Sequence, residues 1–271
     1  KNQVGLAYAS VCIKLDRDDP ALNGVPTVQF FIEGKKVKEV ITNNGVFETD
    51  FLISGADYRH TDGTILNGNA NYQEKYWENR TMAPSCLLFY LGVNKTIEGL
   101  NHHNLFFDES LEEHGKEIYK DPSWPTSPLF YLSAPSLTDP SVAPEGCENL
   151  FFLVPIAPNL KDDDEIREKY FDILVKRLKD ITGNDISQNI VYKRSYCIND
   201  FKGDYHAFKG NAYGLANTLL QTAVLKPRLK NKKLKNFYYT GQLTVPGPGV
   251  PPSIISGEVV AKQIMKEFPL N

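Results

Sequence analysis

The stretch that most restricts the fold of this chain lies near its C-terminus, at residues 237–252. It opens with three large apolar residues and continues with a segment rich in glycine and proline, after which an apolar-periodic run starts at Ser253. This order predicts a buried strand, a tight turn and the N-terminus of a helix. Such a turn exposes backbone N–H groups beside the partial positive charge of the helix, and both favour binding of the electron-rich edge of a flat cofactor.

The same segment carries a resemblance to a known family. Residues 240–252, together with Ser256, Gly257 and Ala261 on the following helix, resemble the C-terminal flavin motif of bacterial-type phytoene (carotenoid) desaturases. Further matches to that family occur upstream, at residues 53–57, 75–77, 82–85, 138–146 and 209–214. Because these matches span almost the whole chain, it is identified as a member of the phytoene desaturase family.

The resemblance implies that the cofactor is FAD and that two segments bind it. One segment follows an apolar strand and consists of Ser54, Gly55, Ala56 and Asp57. The other lies in the glycine and proline turn and contributes Gly241, Gln242, Thr244, Pro246, Gly247, Gly249, Val250 and Pro251. A purely structural role is the alternative for both segments, because glycines permit a strand-to-helix turn and Asp57 is suited to cap a helix. No residue is singled out as catalytic.

The resemblance also implies an α/β fold of mixed α+β character. In this arrangement residues 1–57 and 206–271 form a partial flavin-binding, Rossmann-like domain, and residues 58–205 form an inserted substrate domain with a mixed β-sheet and helices. The family's N-terminal G-x-G-x-x-G turn, which holds the cofactor pyrophosphate and precedes an acidic residue by roughly 20 positions, does not occur in the chain. We therefore expect the chain to match the C-terminal part of the family, and residues 1–25 match none of its motifs.

Local patterns predict the individual elements. An antiparallel meander is expected over residues 27–48, with turns at Glu33-Gly34-Lys35 and Asn43-Asn44-Gly45. One helix is predicted to begin at Asp162 as N-cap, with Glu165 completing a capping box, and to end at Gly183. A second helix is predicted over residues 215–225. Apolar strands are predicted at residues 49–53, 86–92, 104–108, 129–134 and 150–156.

Composition and spacing disfavour several other classes of function. The net charge of −3 provides no field that would attract nucleic acid. Neither the histidines nor the four cysteines, Cys12, Cys86, Cys147 and Cys197, show metal-ligand spacing, so we expect no metal site and reduced thiols. No apolar run approaches the roughly 18 residues that span a bilayer, and a cytoplasmic protein is expected.

The function implied by the resemblance is flavin-dependent removal of a hydride and a proton from a C–C bond of a polyene hydrocarbon such as phytoene. The basic residues at 226–235 are expected to form a solvated loop or, alternatively, a peripheral contact with anionic lipid on the inner face of the membrane. Four aromatic pairs are candidates for lining a substrate tunnel, although core packing is the commoner role of such residues: Phe89-Tyr90, Phe106-Phe107, Phe130-Tyr131 and Phe151-Phe152.

Two alternatives to a desaturase stay open at this point. The chain is a catalytically silent fragment that binds lipid or a partner through a hydrophobic groove, or it is similar to retinol saturase and reduces a polyene double bond. The number of desaturation steps, the proton acceptor and the terminal electron acceptor are not indicated by any motif.

Overall fold

The structure of the chain is a computed structural model that describes residues 28–42, 45–66 and 68–269. These residues adopt an α/β fold in which ten strands form three sheets, one of them parallel and two antiparallel. The predicted fold class is therefore confirmed. The predictions for residues 1–27, which include Cys12 and the start of the first strand, and for Asn43 and Asn44 lie outside the described residues.

The first sheet is an antiparallel meander, as predicted. It consists of β1 (Val28–Glu33), β2 (Lys36–Thr42) and β3 (Gly45–Glu48), paired in that order. Gly34 takes a φ of 60° in the first turn, a conformation that strains most other residues. Asn236 connects this sheet to the C-terminal part of the chain, because its side chain accepts the Val37 N–H at 2.9 Å and donates to the Val37 carbonyl at 2.8 Å.

The second sheet joins two short parallel strands from distant parts of the chain. β4 (Leu52–Ser54) pairs with β10 (Phe237–Tyr239), with Leu52 opposite Phe237. All of β10 is buried, as the sequence predicts. β4 begins later than the predicted residue 49, because Thr49 instead donates its N–H to the Lys38 carbonyl and its hydroxyl to the Phe51 carbonyl.

The third sheet is antiparallel and has five strands. They are β5 (Ser85–Val93), β6 (His103–Phe106), β7 (Phe130–Ser133), β8 (Glu148–Ile156) and β9 (Ile190–Tyr196). Their order is β6-β7-β8-β5-β9, so four predicted strands are confirmed and β9 is an addition at the edge. β9 was not predicted from the sequence because most of its side chains are exposed and two of them, Lys193 and Arg194, are charged.

Six helices accompany these sheets in the described residues. They are α1 (Tyr58–His60, continued by a π turn over Thr61–Ile65), α2 (Glu74–Glu78), α3 (Leu111–Tyr119), α4 (Asp164–Thr182), α5 (Ile198–Tyr205) and α6 (Val250–Glu267). The long helix α4 covers one face of the five-stranded sheet, and the Phe171 ring lies 5.1 Å from the Phe89 ring of β5. α4 ends at Gly183, as predicted, where the backbone turns left-handed with a φ of 77°.

The predicted N-cap of α4 at Asp162 is wrong by one residue. The cap is Asp163, whose side chain accepts the Ile166 N–H at 2.9 Å. The side chain of Asp162 is instead completely buried and accepts two N–H groups of Arg167, each at 2.7 Å. The acidic residues 162–165 offer several possible N-caps. The sequence alone does not show which of these carboxylates instead binds residues elsewhere in the fold, as Asp162 binds Asn199.

The helix predicted over residues 215–225 is also wrong, since only a short 3-10 turn forms there, at Ala223–Leu225. Leu215 instead pairs with Met82 in an isolated bridge. The Gln221 side chain then accepts the Thr81 N–H and donates to the Ala216 carbonyl. These contacts satisfy backbone groups that a helix would have used internally.

The described residues pack into two hydrophobic clusters. The first is built from residues between 87 and 198 and contains the five-stranded sheet and α4. The second combines residues between 37 and 82 with residues between 215 and 243. The division of the chain after residues 57 and 205 stays a prediction, and residues 58–82 contribute Tyr58, Leu66, Trp77 and Met82 to the second cluster.

Candidate functional site

The parallel pairing of β4 and β10 brings together the two segments predicted from the sequence. The carboxyl ends of both strands meet at one edge, where the Thr240 N–H donates to the Ser54 carbonyl at 2.9 Å. Gly55 and Gly241 follow directly, and a Cβ added to Gly241 would stand 3.9 Å from the Gly55 carbonyl oxygen. The carboxyl edge of parallel strands is where open α/β folds bind ligands.

The turn after β10 is held by hydrogen bonds within the C-terminal segment. Thr244 donates its N–H and its hydroxyl to the Gly241 carbonyl, at 3.0 and 2.8 Å. The Gly241 N–H in turn donates to the buried Ser256 hydroxyl of α6 at 2.8 Å. Gly247 and Gly249 have φ values of 136° and 109°, so this path requires glycine at both positions.

The N-terminus of α6 offers fewer donors than the sequence suggests. Gly249 is the N-cap and Val250 the first helical residue. Pro251 and Pro252 have no N–H, and the Ser253 N–H already donates to the Gly249 carbonyl at 3.0 Å. The first turn therefore retains only the N–H groups of Gly249 and Val250, in addition to the partial charge of the helix.

The loop at residues 210–214 packs closely behind this turn. Gly214 has a φ of 77°, and a Cβ there would stand 3.0 Å from the Gln242 carbonyl oxygen. The same loop reaches the five-stranded sheet, because Ala212 donates its N–H to the Pro84 carbonyl and the Ser85 hydroxyl donates to the Gly210 carbonyl at 2.6 Å. The loop thus connects the C-terminal turn to the start of β5.

Sequence reasoning missed a buried polar network behind β10. The Tyr239 hydroxyl donates to Asp62 at 2.7 Å, and the same carboxylate accepts the N–H groups of Asn71 and Tyr72. The Tyr58 ring stacks on the Tyr239 ring at 3.9 Å. This network fixes β10 against α1, and no short-range spacing could have indicated it because Asp62 and Tyr239 are 177 positions apart.

Lys226 is the second feature that the sequence did not reveal. It belongs to the basic run predicted to be solvated, yet it is only 4 % exposed and its Nζ has no hydrogen-bond partner. Its ammonium group lies 3.4 Å from the position that a Cβ on Gly247 would occupy. Burial lowers the pKa of Lys226. The prediction of a solvated loop is therefore wrong for Lys226, while Arg228, Lys232, Lys233 and Lys235 are exposed.

Asp57 has a structural role in this edge. It caps α1 by accepting the His60 N–H at 2.9 Å, and it also accepts the Phe208 N–H at 3.3 Å. Burial raises the pKa of Asp57 to about 6, although these N–H groups oppose the shift. The capping role that the sequence offered as the structural alternative is thus present, and a cofactor contact of Asp57 stays a prediction.

The raised pKa of Asp57 leads to a testable pH dependence. Since the folded-state pKa of about 6 exceeds the unfolded value, the folded protein binds the extra proton, and this stabilisation is present below pH 4 and lost as the pH rises through 6. We expect Asp57→Asn to remove a pH-dependent contribution of about 3 kcal/mol between pH 4 and pH 7. Urea unfolding at both pH values measures it. Ala56→Ser, at the exposed neighbouring position, is the control, and an unchanged pH dependence in Asp57→Asn would contradict the assignment.

The predicted aromatic pairs divide between the two faces of the five-stranded sheet. Their members on one face are buried in the first cluster, so the tunnel-lining role is wrong for them: Phe89, Phe106, Phe130 and Phe152. On the opposite face Tyr90 and Tyr131 lie beside Phe151, with ring centroids 5.2 and 6.3 Å from it. Phe107, just beyond β6, is exposed.

An open groove lies along this second face. Its volume is about 720 Å³. Three charged residues, Glu148, Arg194 and Asp204, line it. Aromatic and aliphatic side chains form much of the remaining wall, among them Tyr90, Val142, Val191, Tyr192, Tyr196 and Tyr205. The alternation of buried and half-buried residues along β8 explains why one face is core and the other remains available for a ligand.

No group of three or more His, Cys, Asp or Glu side chains is placed to hold a metal ion in the described ranges. Cys86, Cys147 and Cys197 are free thiols. No helix within residues 28–42, 45–66 and 68–269 combines the length and apolar character needed to cross a bilayer.

Comparison with curated proteins finds clear relatives. The chain is 42% identical over 220 residues to carotenoid 3,4-desaturase of Haloarcula japonica, an alignment that covers 81% of the chain and 44% of the relative. It is 27% identical to phytoene desaturase of Fusarium fujikuroi, over 90% of the chain and 46% of the relative. The chain therefore spans about half the length of the curated relatives it matches. No family model matches the chain.

A solved structure shares the fold. An oxidoreductase from Methanosarcina mazei superposes with a TM-score of 0.55 at 14% identity, over 87% of the chain and 48% of that structure. At this identity the likeness establishes the architecture alone. The contact of the predicted cofactor residues with a cofactor stays a prediction.

Proposed function

The chain belongs to the phytoene (carotenoid) desaturase family, and we propose that it forms part of a flavin-dependent oxidoreductase that removes a hydride and a proton from a C–C bond of a polyene hydrocarbon. The observation that carries this proposal is the pairing of β4 with β10, which brings Ser54 and Gly55 beside Thr240 and Gly241 at the carboxyl edge of two parallel strands, where the two predicted cofactor segments begin. FAD is the proposed cofactor, and a carotenoid precursor such as phytoene is the proposed substrate.

The residues at this edge fit a flavin. Gly55 and Gly241 leave the edge without side chains, so a flat ring can approach the backbone closely. The N–H groups of Gly249 and Val250 and the partial positive charge of α6 are suited to the N1–C2=O side of the ring. A flavin bound here would supply the hydride acceptor. Gly55, Gly241, Gly249 and Val250 would bind and orient this flavin. No residue of the chain is assigned as the proton acceptor.

The second face of the five-stranded sheet is the proposed substrate surface. A polyene hydrocarbon offers no hydrogen-bonding group, so it must be held by apolar contact worth about 25 cal/mol per Å² buried. Tyr90, Phe151 and the groove beside β9 supply such a surface. The loop at residues 210–214 joins this sheet to the cofactor turn, so both belong to one packed unit. The role of the chain is to position the polyene and exclude water.

Binding of a flavin is the first test of this function. The chain is mixed with FAD, freed of unbound cofactor and examined by absorbance and flavin fluorescence, and then supplied with phytoene in lipid vesicles. A yellow protein that produces longer-wavelength polyene absorbance is expected. A colourless protein that nonetheless retains carotenoid would support the silent hydrophobic groove instead. Loss of a retinol double bond, without phytoene desaturation, would support the reductase alternative.

We also propose a peripheral contact with the membrane in which such a substrate dissolves. Leu219, Leu220 and Val224 are 90, 77 and 93% exposed, an unusual placement for apolar side chains in one short segment. The exposed basic residues Lys232 and Lys235 follow along the chain. Apolar insertion supported by attraction of lysines to anionic headgroups is a typical way to bind a bilayer surface.

Vesicle binding tests this contact. The triple substitution Leu219→Ser, Leu220→Ser and Val224→Ser should weaken binding to vesicles that contain anionic phosphatidylglycerol by at least tenfold, because each lost side chain contributes about 1 kcal/mol or more on insertion. Co-sedimentation measures the partition. Leu105→Ser, at an exposed leucine of β6, is the matched control and should bind as wild type does. Equal loss in the control would argue against a dedicated membrane segment.

A further inference from the structure

Lys226 carries a buried ammonium group that nothing in the described structure neutralises. It is 4 % exposed, no hydrogen bond is formed by its Nζ, and no described acidic side chain forms an ion pair with it. An unpaired buried cation is strongly unfavourable, so such groups are rare unless a ligand or partner completes them. Lys226 therefore indicates a missing negative or electron-rich group.

The side chain lies directly under the predicted cofactor turn. A Cβ on Gly247 would stand 3.1 Å from Cε and 3.4 Å from Nζ of Lys226, so glycine at this position admits the lysine. Gly249, two residues further on, caps α6. The lysine and the helix N-terminus both carry positive charge, and they repel each other unless a negative group lies close to both.

These two positive features narrow the kind of ligand that would fit. A neutral hydrocarbon would leave the ammonium group unpaired, so the proposed polyene is not its partner. The pyrimidine edge of a flavin presents carbonyl oxygen at C2 and gains negative charge at N1–C2=O when the ring accepts a hydride. A fixed cation favours the charged state of a neighbouring group.

We propose that Lys226 contacts the N1–C2=O edge of the bound flavin and stabilises the negative charge that this edge carries after hydride transfer. The inference rests on the proposed function, because it requires a flavin at the edge formed by residues 54–57 and 240–251. It adds a residue that the family resemblance did not indicate, and it explains why the turn has glycine at position 247. It also accounts for the unpaired ammonium group of Lys226, because that group would donate a hydrogen bond to the flavin C2 carbonyl oxygen.

Sulfite provides a direct probe of this charge. Sulfite adds reversibly to N5 of an oxidised flavin: the sulfur lone pair forms the S–N bond, and the displaced electron pair of the ring places negative charge at N1–C2=O. No other oxidant or reductant takes part. The affinity for sulfite, followed by bleaching of the flavin absorbance, therefore reports positive charge at that edge without any catalytic turnover.

The experiment compares the wild-type chain loaded with FAD with Lys226→Met, Lys226→Arg and the control Lys235→Met. Lys235 is an exposed lysine of the same basic run. We expect Lys226→Met to bind sulfite about 10- to 100-fold more weakly, as the loss of one charge-assisted hydrogen bond predicts. Lys226→Arg should retain most of the affinity, and Lys235→Met should match wild type. Without FAD, Lys226→Met should melt at a higher temperature than wild type, because the unpaired buried charge is gone.

Each outcome decides one of the two proposals. If wild type and Lys226→Met bind FAD and sulfite equally well, Lys226 does not face the flavin edge, while the flavin function stands. If Lys226→Met weakens FAD binding but leaves sulfite affinity unchanged, the lysine contacts the phosphate part of the cofactor and the proposal is overturned. If the wild-type chain binds neither FAD nor riboflavin, which has no pyrophosphate to be held by the turn that the chain does not contain, both the flavin site and the role of Lys226 are overturned. Should Lys226→Met not fold, Lys226→Gln replaces it, and the loss of sulfite affinity should then be smaller because glutamine removes the charge but keeps a neutral hydrogen-bond donor.

Discussion

Replacing Asp162 by alanine should lower the free energy of unfolding by about 3–5 kcal/mol, the range typical of breaking a buried ion pair by removing one partner. The Asp162 carboxylate is completely buried and accepts two Arg167 N–H groups at 2.7 Å. It also accepts the Asn199 N–H at 2.7 Å, and its carbonyl accepts the Asn199 side chain at 2.9 Å. The substitution therefore disconnects α4 from the start of α5. Arg167, whose side chain is 12% exposed, then keeps Asp200 as its one acidic partner among the described residues.

The neighbouring carboxylate supplies the control for this prediction. Asp163→Ala removes the N-cap of α4 and should cost about 1 kcal/mol, since Asp163 is bonded to one helical N–H near the surface. Urea denaturation followed by circular dichroism measures both variants. Similar losses for the two substitutions would show that the buried network at Asp162 contributes no more than an ordinary cap.

Replacing Gly214 by alanine should disrupt the proposed cofactor edge. A Cβ at Gly214 would stand 3.0 and 3.2 Å from the carbonyl oxygen and carbon of Gln242, and neither backbone atom can move away without moving the turn. The φ of 77° adds strain of about 1–2 kcal/mol for alanine, and the close contact adds about 1–3 kcal/mol more. We expect FAD affinity to fall by about 100-fold, the size of effect that a displacement near 1 Å produces at a preorganised site.

Flavin fluorescence titration and thermal melting together test the Gly214 prediction. Gly115→Ala is the matched control: Gly115 lies within α3, and a Cβ there meets no atom within 4 Å. That variant should be more stable than wild type by about 0.5–1 kcal/mol, because alanine is the better helix former. It should bind FAD normally. Unchanged FAD affinity in Gly214→Ala would show that the turn at Gln242 takes no part in holding the cofactor.

Strong local patterns predicted much of the fold correctly. The meander, four strands of the five-stranded sheet and the C-terminal end of α4 are confirmed, because turns, apolar runs and Gly183 mark them within a few residues. The helix expected over residues 215–225 did not form, since Gln221 and Met82 provide distant partners for that backbone. The edge strand β9 was not recognised because most of its residues are exposed and its sequence lacks a continuous apolar pattern.

The sequence motif predicted where the candidate site lies, but it did not predict that Lys226 is buried beside it. Residues 54–57 and 240–251 were assigned together by resemblance, and the structure places the first residues of the two segments side by side after β4 and β10. Lys226 belongs to a run of basic residues in the sequence. Nothing in the neighbouring sequence distinguishes it from the other lysines, although its ammonium group is buried beneath Gly247. Burial of this kind depends on which distant segments pack over a side chain.

The pairing of β4 with β10 has a consequence for how the protein is made. Ser54 and Thr240, which close the edge, are 186 positions apart, so the edge cannot form until the ribosome has produced nearly all of the sequence described here. The entropy of closing so long a loop delays this step relative to local folding of the intervening sheet. During synthesis β4 therefore remains unpaired and accessible to chaperones and proteases. A ligand that binds only the paired edge would protect newly synthesised molecules from degradation.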